Sequence, residues 1–255
     1  MAKISACVIS FNEEKKIEDC LKSLEPVVDE IIVVDSNSTD KTVEIAKRYT
    51  DHVHLQDFLG HVQQKDLAVQ KASHDWILSL DCDERLSPEL QASILAVKDN
   101  LGEGGAYRMP RKTFYIYRWL DHCWYPGYKV RLFNKNTCKW GGVNPHDHVV
   151  VDGDKVVDLS GDILHYSFDS ISGHLQTIDS FTEIAARELI EEGRKVTFLT
   201  PLVHANWAFI KIYFLQRGFL DGFAGLSVAV LSCLHVFVKY GKVLMHQKRE
   251  KAPPP

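Results

Sequence analysis

Four short apolar runs, separated by helical patterns, constrain the fold of this chain more than any other feature. The runs are KISACVIS at 3–10, EIIVVD at 30–35, HVHL at 52–55 and WILSL at 76–80. Near-continuous apolar runs of this length are typical of strands that are buried on both faces. Helices are predicted at 13–24, 38–49 and 61–72, and Ser87-Pro88 opens a fourth. This β-α-β-α-β-α-β order predicts an α/β fold with a mostly parallel sheet.

The composition supports one large domain, or one domain with an appendage. With 45% hydrophobic and 25% charged residues, a chain of 255 residues can bury a full core. The six cysteines form no C-x-x-C pair, and the start of the chain does not resemble a signal peptide. We therefore expect a reduced, cytosolic protein without a zinc-finger framework.

Polar and acidic residues follow three of the predicted strands. The first strand leads into SFNEE, the second into DSNSTD and the fourth into DCDE. In a parallel α/β sheet these strand ends share one edge, and ligands bind at that edge. The first loop contains no glycine, which argues against both a Gly-rich dinucleotide-binding turn and a phosphate-binding P-loop.

The acids at this edge suit a nucleotide whose phosphates cannot rest on a glycine loop. Asp81 and Asp83 follow the fourth strand, where they repel each other unless a cation neutralises them. Hard divalent cations bind carboxylate oxygens and bridge phosphates, so we predict a metal ion and a diphosphate here. Asp35 ends the second strand, where an acid often binds ribose or base hydrogens. The alternatives are a solvated acidic loop at 81–84 and a simple helix-initiating turn at Asp35.

These motifs, in this order, resemble family 2 glycosyltransferases of the GT-A fold, whose sheet is Rossmann-like. The resemblance rests on ACVISFNEEKKIEDCLKSL, EIIVVDSNSTDKTVEIAK and HDWILSLDCDE, and it covers residues 3 to 245. The later stretches KVRLFNK, HDHVVVDG, LHYSF and RGFLDGFAGL are similar to the branch that contains lipopolysaccharide core β-1,4-glucosyltransferases. The resemblance implies an inverting transfer of a hexose from a nucleotide-diphosphate sugar, with UDP as the expected nucleotide and Mg²⁺ or Mn²⁺ as cofactor.

The resemblance also assigns roles at the donor site. Phe11 and Glu13 fall where the family encloses the nucleobase, and Asp35 falls where it binds base or ribose. Lys65 falls where a basic or polar residue lines the donor cleft. The alternative for Lys65 is an exposed position on the surface of a helix.

Two further assignments concern the reaction itself. Asp81 and Asp83 match the D-x-D motif, with Asp81 assigned to both nucleotide and metal, and Asp83 as the more direct metal ligand. The catalytic base falls on Asp147, between His146 and His148, where the family has a His followed by an acid that is usually Glu. Aspartate is one methylene shorter, and the two histidines either orient it or form a structural pair. No complementary His or Asp cluster occurs at useful spacing, so a zinc site is not expected.

Residues 105–133 mix aromatic and basic side chains, a composition that also occurs in nucleic-acid-binding proteins. The resemblance instead makes this segment the acceptor-side wall, with no nucleic acid as partner. Arg131, His146 and Trp124 are the residues that we predict to face the acceptor or the phosphates. Plain core packing is the alternative for Trp124.

The last third of the chain changes character. Residues 171–192 fit a polar amphipathic helix, and from 201 onward the chain is apolar, with an uncharged run at 222–238. From 194 to the end, nine Lys or Arg and two Asp or Glu give a balance of +7, against −4 for the whole chain. We predict a helical pair that lies on an anionic membrane surface. A membrane span through 222–238 and a helix pair packed on the main domain are the alternatives.

Together these patterns divide the chain into a GT-A domain at 1–165, a membrane-associated helical extension at 166–248 and a disordered tail at 249–255. We predict an inverting glycosyltransferase, peripheral on the cytoplasmic face of the inner membrane. It would use a nucleotide-sugar donor and a lipopolysaccharide-core, glycolipid or other lipid-linked acceptor, in a metal-assisted single displacement. A metal-dependent nucleotidyltransferase or phosphohydrolase, and a sugar-nucleotide-binding module without activity, are the alternatives.

Overall fold

The computed structural model describes residues 2–101, 105–143, 146–153 and 155–251. The chain groups into two compact units. The α/β unit consists of Met1–Lys112 and Pro126–Tyr166, and the helical unit consists of Thr113–Tyr125 and Ser167–Pro255. Residues 113–125 thus group with the C-terminal helices, and the domain boundary after residue 165 stays a prediction.

The chain forms twelve strands and seven α-helices within its described residues. The strands are β1 (Ile4–Ser10), β2 (Glu30–Asp35), β3 (Val53–Leu55), β4 (Trp76–Asp81), β5 (Glu84–Leu86), β6 (Ala106–Tyr115), β7 (Arg118–Trp119), β8 (Gly127–Asn134), β9 (Cys138–Val143), β10 (His146–Val151), β11 (Val156–Asp158) and β12 (Ile163–Phe168). The helices are α1 (Ile17–Leu24), α2 (Thr42–Ala46), α3 (His61–Lys71), α4 (Pro88–Lys98), α5 (Ile171–Glu191), α6 (Leu199–Ile210) and α7 (Gly222–Lys251).

The predicted parallel sheet is confirmed in β3, β2, β1 and β4, which lie in that order with every neighbouring pair parallel. The sheet continues through β8, β6, β12 and β5, and β8 runs antiparallel to β4. The register sets Ser10 beside Asp35 and Ile9 beside Asp81. The acidic ends of β2 and β4 therefore flank the end of β1. β9 and β10 form a separate antiparallel pair.

Local sequence signals explain where two of the helices begin. Ser87 caps α4 by accepting a backbone N–H at 3.2 Å, and Pro88 takes the first helical position, as predicted. α1 begins at Ile17 rather than at residue 13, because the N–H groups of Lys16 and Ile17 both bond to the Glu13 carbonyl in a preceding turn. The buried face of α1 is the one that the apolar spacing indicates, Ile17, Cys20, Leu21 and Leu24.

Both faces of the parallel sheet are covered, as its near-continuous apolar strands predict. Successive residues of β1 alternate between two apolar clusters. Ala6 and Val8 belong to the cluster that contains Leu21 of α1, and Cys7 belongs to the cluster that contains Ala68 of α3. Each large apolar side chain that is fully buried contributes roughly 1.5–3 kcal/mol. This packing holds α3, and the charged residues that it carries, against the sheet.

In the helical unit, α7 packs against α5 and α6, and the helix pair expected from residue 201 is present as α6 and α7. Between α6 and α7 the chain passes through a π-helical turn at Lys211–Leu215 and a 3-10 turn at Gly218–Asp221. Gly225 permits this arrangement, since a Cβ there would lie 1.9 Å from the carbonyl oxygen of Gly218. Asp221 ends the 3-10 turn as a fully buried acid.

Asp221 anchors the loop that leads to Trp124. Its carboxylate accepts the backbone N–H groups of Asp121, His122 and Cys123 at 3.0, 3.1 and 2.9 Å. Three charge-assisted hydrogen bonds to one buried carboxylate stabilise the backbone of this loop.

The C-terminal helix is long and apolar. Among the described residues, one helical stretch, Gly218–Glu250, has the length and composition that a membrane span would need, a test that core helices of soluble proteins also pass. α7 continues through Lys251, three residues into the predicted tail at 249–255. Residues 252–255 of that tail lie outside the described residues.

Candidate active site

Lys65 lies at the centre of an ion-pair cluster at the carboxyl end of β4. Its ammonium nitrogen is 2.8 Å from Asp81 Oδ1 and 2.7 Å from Asp147 Oδ2, and only 3% of its side chain is exposed. The Trp140 ring of β9 covers the lysine, with the nitrogen 4.6 Å from the ring centroid. The structure thus brings together three of the predicted site residues and excludes the exposed position that was the alternative for Lys65.

Asp147 is held in a strand. It lies on β10 opposite Gly142 of β9. β10 packs against α3, the helix that carries Lys65. The strand therefore presents the carboxylate to the lysine from a rigid element.

Arg131 reaches the same cluster from a β-bulge. The pairing of β6 with β8 shifts by one residue after Tyr107, which leaves Arg131 of β8 without an opposite residue. A bulge re-aims the side chain of its extra residue. The guanidinium of Arg131 donates to Asp81 Oδ2 at 3.0 Å and to Glu84 Oε1 at 3.1 Å. Arg111 adds a further contact to Glu84 at 3.2 Å, so Glu84 has two arginine partners.

These contacts decide the charge of the buried acids. Burial by itself raises the pKa of Asp81, but the charges of Lys65 and Arg131 outweigh it and hold that pKa well below its ordinary value. Burial also opposes ionisation of Glu84, and Arg131 with Arg111 keeps the pKa of Glu84 lowered. Lysine and arginine side chains thus supply positive charge to Asp81 and Glu84. The metal ion predicted beside Asp81 and Asp83 stays a prediction.

Asp83 faces a histidine. Its Oδ2 lies 3.3 Å from Nε2 of His165, because β12 pairs antiparallel with β5 and sets His165 opposite Glu84. Within the residues that the structure describes, no three His, Cys, Asp or Glu side chains form a metal-binding group. One carboxylate and one imidazole still fit a divalent cation that takes its other ligands from phosphate oxygens and water. Asp81 suits that role less well, since both of its oxygens already contact cations.

Asp35 is fully buried and links the end of β1 to the loop after β2. Its Oδ1 accepts the backbone N–H of Ser38 at 2.7 Å, and its Oδ2 accepts the hydroxyls of Ser10 and Ser38 at 2.7 and 2.6 Å. A carboxylate offers about four acceptor positions, and hydrogen bonds within the chain fill three of them. Phe11, directly after β1, is 58% exposed, and Glu13 follows in the same loop. The contacts of these three residues with a nucleotide stay predictions.

The residues predicted for the acceptor side differ in their placement. Trp124 belongs to the helical unit, where its ring packs against those of Tyr115 and Phe168. The side chain of His146 lies outside the part of the chain that the structure describes, and His148 is exposed. Roles for Trp124 and His146 at the acceptor therefore stay predictions.

No sequence-based prediction gave a role to three residues of this cluster, which are Glu84, Trp140 and His165. Arg111 lies in the segment 105–133 that was predicted to form the acceptor-side wall. Glu84 belongs to the DCDE motif, and its place directly after Asp83 could have marked it as part of the site. The stretch LHYSF reaches Asp83 only through the pairing of β12 with β5. No local sequence pattern predicts such a contact.

Two buried donors beside Lys65 have no hydrogen-bond acceptor in the described part of the chain. They are Nε of Arg131 and Nε1 of Trp140. Buried donors of this kind are unusual in folded proteins, and they are groups that a bound ligand oxygen or an ordered water satisfies.

Comparison with known proteins identifies the family. Residues 5–148, more than half of the chain, match the model of glycosyl transferase family 2. The chain is 32% identical over 260 residues to an uncharacterized glycosyltransferase of Rickettsia typhi, across 95% of this chain and 87% of the relative. It is 24% identical over 260 residues to LpsC of Rhizobium meliloti, a lipopolysaccharide core biosynthesis glycosyltransferase, across 98% of this chain and 95% of the relative.

Two solved structures show a more distant likeness. S. aureus TarS 1-349 in complex with UDP is 14% identical with a TM-score of 0.49, across 99% of this chain and 93% of that chain. Glucosyl-3-phosphoglycerate synthase from Mycobacterium tuberculosis, in complex with Mg²⁺ and UDP, is 27% identical with a TM-score of 0.36. That likeness covers 45% of this chain and 44% of the other. With TM-scores below 0.5, neither supports a conclusion about this chain.

The family match agrees with the architecture that the sequence predicts. The GT-A fold is confirmed, with an acidic cluster at the carboxyl end of its parallel strands and a long apolar helix near the C-terminus. The chain is therefore a member of glycosyl transferase family 2.

Proposed function

We propose that this family 2 glycosyltransferase is an inverting enzyme that transfers a hexose from a UDP-sugar to a lipopolysaccharide-core or lipid-linked acceptor. The observation that carries the proposal is the contact of Lys65 with both Asp81 and Asp147. Asp81 belongs to the D-x-D motif, which serves the donor, and Asp147 lies outside that motif and serves the acceptor. A single displacement needs this separation of a base from the leaving group.

Asp147 acts as the base. Its Oδ2 contacts Lys65 at 2.7 Å, whereas its Oδ1 makes no hydrogen bond within the described residues. The acceptor hydroxyl therefore gives its proton to Oδ1 as the oxygen attacks the sugar. Lys65 keeps the carboxylate oriented during that transfer, and β10 fixes its position.

The donor side is divided between the two acids of the D-x-D motif. Asp83 and His165 are the residues that would hold Mg²⁺ or Mn²⁺, which when bound stabilises the charge of the leaving diphosphate. Asp81 holds Lys65 and Arg131 in place, so that their positive charges face the donor phosphates. Phe11, Glu13 and Asp35 bind the uridine at the ends of β1 and β2, and these roles follow from the resemblance.

A relative and the helical unit support the proposed acceptor class. LpsC of Rhizobium meliloti, similar along nearly its whole length, is a lipopolysaccharide core enzyme. The helical unit exposes Trp207, Phe214 and Phe223, and the chain from 194 onward carries a formal balance of +7. Exposed aromatic residues with surplus positive charge suit attachment to an anionic membrane surface. We place the enzyme peripherally on the cytoplasmic face of the inner membrane, where lipid-linked acceptors are available.

The test is a product assay on the purified protein. Incubation with UDP-sugars, a divalent cation and a lipopolysaccharide-core acceptor should release UDP, and NMR of the product should show the anomeric configuration inverted relative to the donor. A nucleotidyltransferase or phosphohydrolase would release other phosphate products, and a binding module would release none. Retention of configuration would reject the single displacement.

A pair of variants tests the metal assignment. Asp83→Asn should lower turnover roughly 10²-fold or more, because a bound cation contributes several kcal/mol to charge stabilisation. Asp83→Asn should also lose the metal-dependent part of UDP affinity in calorimetry. Asp158→Asn, at an exposed acid of the same unit, is the matched control and should retain both. Full activity of Asp83→Asn, or of the wild type in excess chelator, would contradict the assignment.

A further inference from the structure

The helical unit contains a half-open cavity of about 320 Å³. Its polar lining consists of His174, Lys211, Gln216, Ser232 and His235, and Trp124 adds an aromatic wall. Among the lining residues in the described part of the chain there is no Asp or Glu. The cavity therefore offers several hydrogen-bonding groups and one permanent positive charge.

The backbone around the cavity is irregular in two places. Lys211 opens the π-helical turn, in which the Gln216 N–H bonds to the Lys211 carbonyl at 2.8 Å. Turns of this type occur frequently at functional sites. Trp124 has a φ of 60°, a left-handed conformation that bulky residues rarely adopt, and its N–H reaches Oε1 of Gln216 at 3.5 Å. Both irregularities lie in the wall of the cavity.

The positive charge of the cavity comes from Lys211. His174 stacks on Phe168, with ring centroids 4.1 Å apart, and its Nδ1 is 3.1 Å from the Tyr115 hydroxyl. Burial, together with the nearby His235, lowers the pKa of His174 to about 4, so this ring is neutral at pH 7. Lys211 is exposed and has no ion-pair partner among the described residues. An ammonium group surrounded by imidazole, amide and hydroxyl groups suits phosphate oxygens.

Apolar side chains are exposed on the same segments of the chain. Trp207 and Ile210 of α6, and Phe214 and Leu215 of the π-helical turn, are 42–63% exposed. Large exposed apolar residues beside cationic groups are typical of surfaces that contact a membrane. A phospholipid matches both features, since it carries a phosphate and acyl chains in one molecule.

We propose that this cavity binds the phosphate group of an anionic membrane lipid, with Lys211 as its counter-charge. The acyl chains lie against the exposed apolar side chains of α6 and the π-helical turn. The inference rests on the proposed attachment to the membrane surface and adds a specific headgroup site to it. A diffuse attraction depends on charge alone, whereas a headgroup site also depends on the shape of the cavity.

The first test compares two lysines. Full-length protein is mixed with vesicles of phosphatidylcholine alone and of phosphatidylcholine with phosphatidylglycerol, and the bound fraction is measured by flotation. Lys211→Ala should weaken binding to the mixed vesicles roughly tenfold or more. Lys195→Ala removes the same charge from an exposed position outside the cavity. Lys195→Ala should weaken binding to the mixed vesicles about fivefold or less, which is the effect of one lysine acting through the surface potential.

The second test changes the shape of the cavity without changing its charge. Ser232→Leu fills part of the cavity and should weaken binding to the mixed vesicles roughly tenfold, while circular dichroism shows unchanged helix content. If Ser232→Leu does not fold, the comparison of Lys211→Ala with Lys195→Ala decides. Equal losses for the two lysine variants would overturn the headgroup site.

The third test separates a lipid headgroup from free phosphate and from bulk salt. Glycerol phosphate should displace the wild type from mixed vesicles more strongly than sodium chloride at equal ionic strength. Equal displacement would show that binding depends on diffuse electrostatic attraction alone, and it would contradict the proposed headgroup site. Inorganic phosphate that binds through Lys211 while the vesicles stay unbound would also overturn the lipid assignment. Wild type that binds no vesicles would reject the membrane attachment itself, an outcome distinct from a failure of the cavity.

Discussion

The two units of the chain use positive charge in opposite ways. In the α/β unit, Lys65 and Arg131 are buried, and each contacts two acids. In the helical unit, Lys211 is exposed in the lining of a cavity without acids, next in the chain to exposed apolar residues. A buried cation without its acids would be costly, because its lost hydration would not be replaced. The α/β unit therefore pairs these two charges within the chain, whereas we propose that the helical unit uses Lys211 to bind an anionic lipid.

The largest effect should come from Asp147, and it decides whether the buried cluster is catalytic or only structural. Asp147→Asn keeps the size of the side chain and removes its basicity, so kcat should fall roughly 10²–10⁴-fold while UDP binding stays near wild type. Steady-state kinetics with calorimetric UDP binding measures both. Asp152→Asn, at an exposed acid a few residues on, should keep its turnover. Loss of turnover in Asp152→Asn, with turnover kept in Asp147→Asn, would show that Asp147 is not the base.

The next effect concerns stability and tests whether burial makes the charges of the α/β unit indispensable. Arg131→Met leaves Asp81 and Glu84 each short of a partner, and we expect a loss of about 3–5 kcal/mol in unfolding free energy. Arg108→Met breaks an exposed pair with Asp158, and its loss should be much smaller. Urea unfolding of both variants gives the comparison. Similar losses would show that burial does not distinguish these two arginines.

A smaller effect on KM is expected at Asp35, where a role in the structure can be separated from a role in nucleotide binding. Asp35→Ala should raise the KM for the UDP-sugar about tenfold, since hydrogen-bond donors of the nucleotide would lose their acceptor. Ser38→Ala removes one of the internal donors to Asp35 and leaves the carboxylate in place. It should change KM less than Asp35→Ala does. Equal effects of the two variants on KM and on stability would show that Asp35 stabilises the loop and does not bind the nucleotide.

The smallest effect is a pH dependence confined to the helical unit. The pKa of His174 is lowered from 6.5 to about 4 on folding. Between these values the unfolded chain binds a proton that the folded chain does not, so stability falls as pH drops through this window. His174→Gln should therefore lose less stability than wild type between about pH 7 and about pH 5, as measured by urea unfolding. If His174→Gln and wild type lost the same unfolding free energy between the two pH values, His174 would not be a buried, neutral histidine.

The sequence by itself determined the parallel half of the sheet and the acids at its edge. The apolar runs that became β1, β2 and β4 are each long enough and continuous enough to require burial on both faces. Parallel strands joined by helices have their carboxyl ends at one edge, so the positions of Asp35, Asp81 and Asp83 followed from the strand ends. The cap of α4 followed from Ser87 and Pro88 in the same local way.

Only the tertiary structure decided which partners these acids have. Lys65 and Asp147 are 82 positions apart, and they meet because α3 packs against β10. Arg131 reaches Asp81 through a bulge, and His165 reaches Asp83 through the pairing of β12 with β5. Each contact depends on strand register, and a slip of one residue would turn the side chain to the opposite face. Register is set by packing across the whole unit rather than by neighbours in the chain, so local patterns predicted where the acids lie but not what neutralises them.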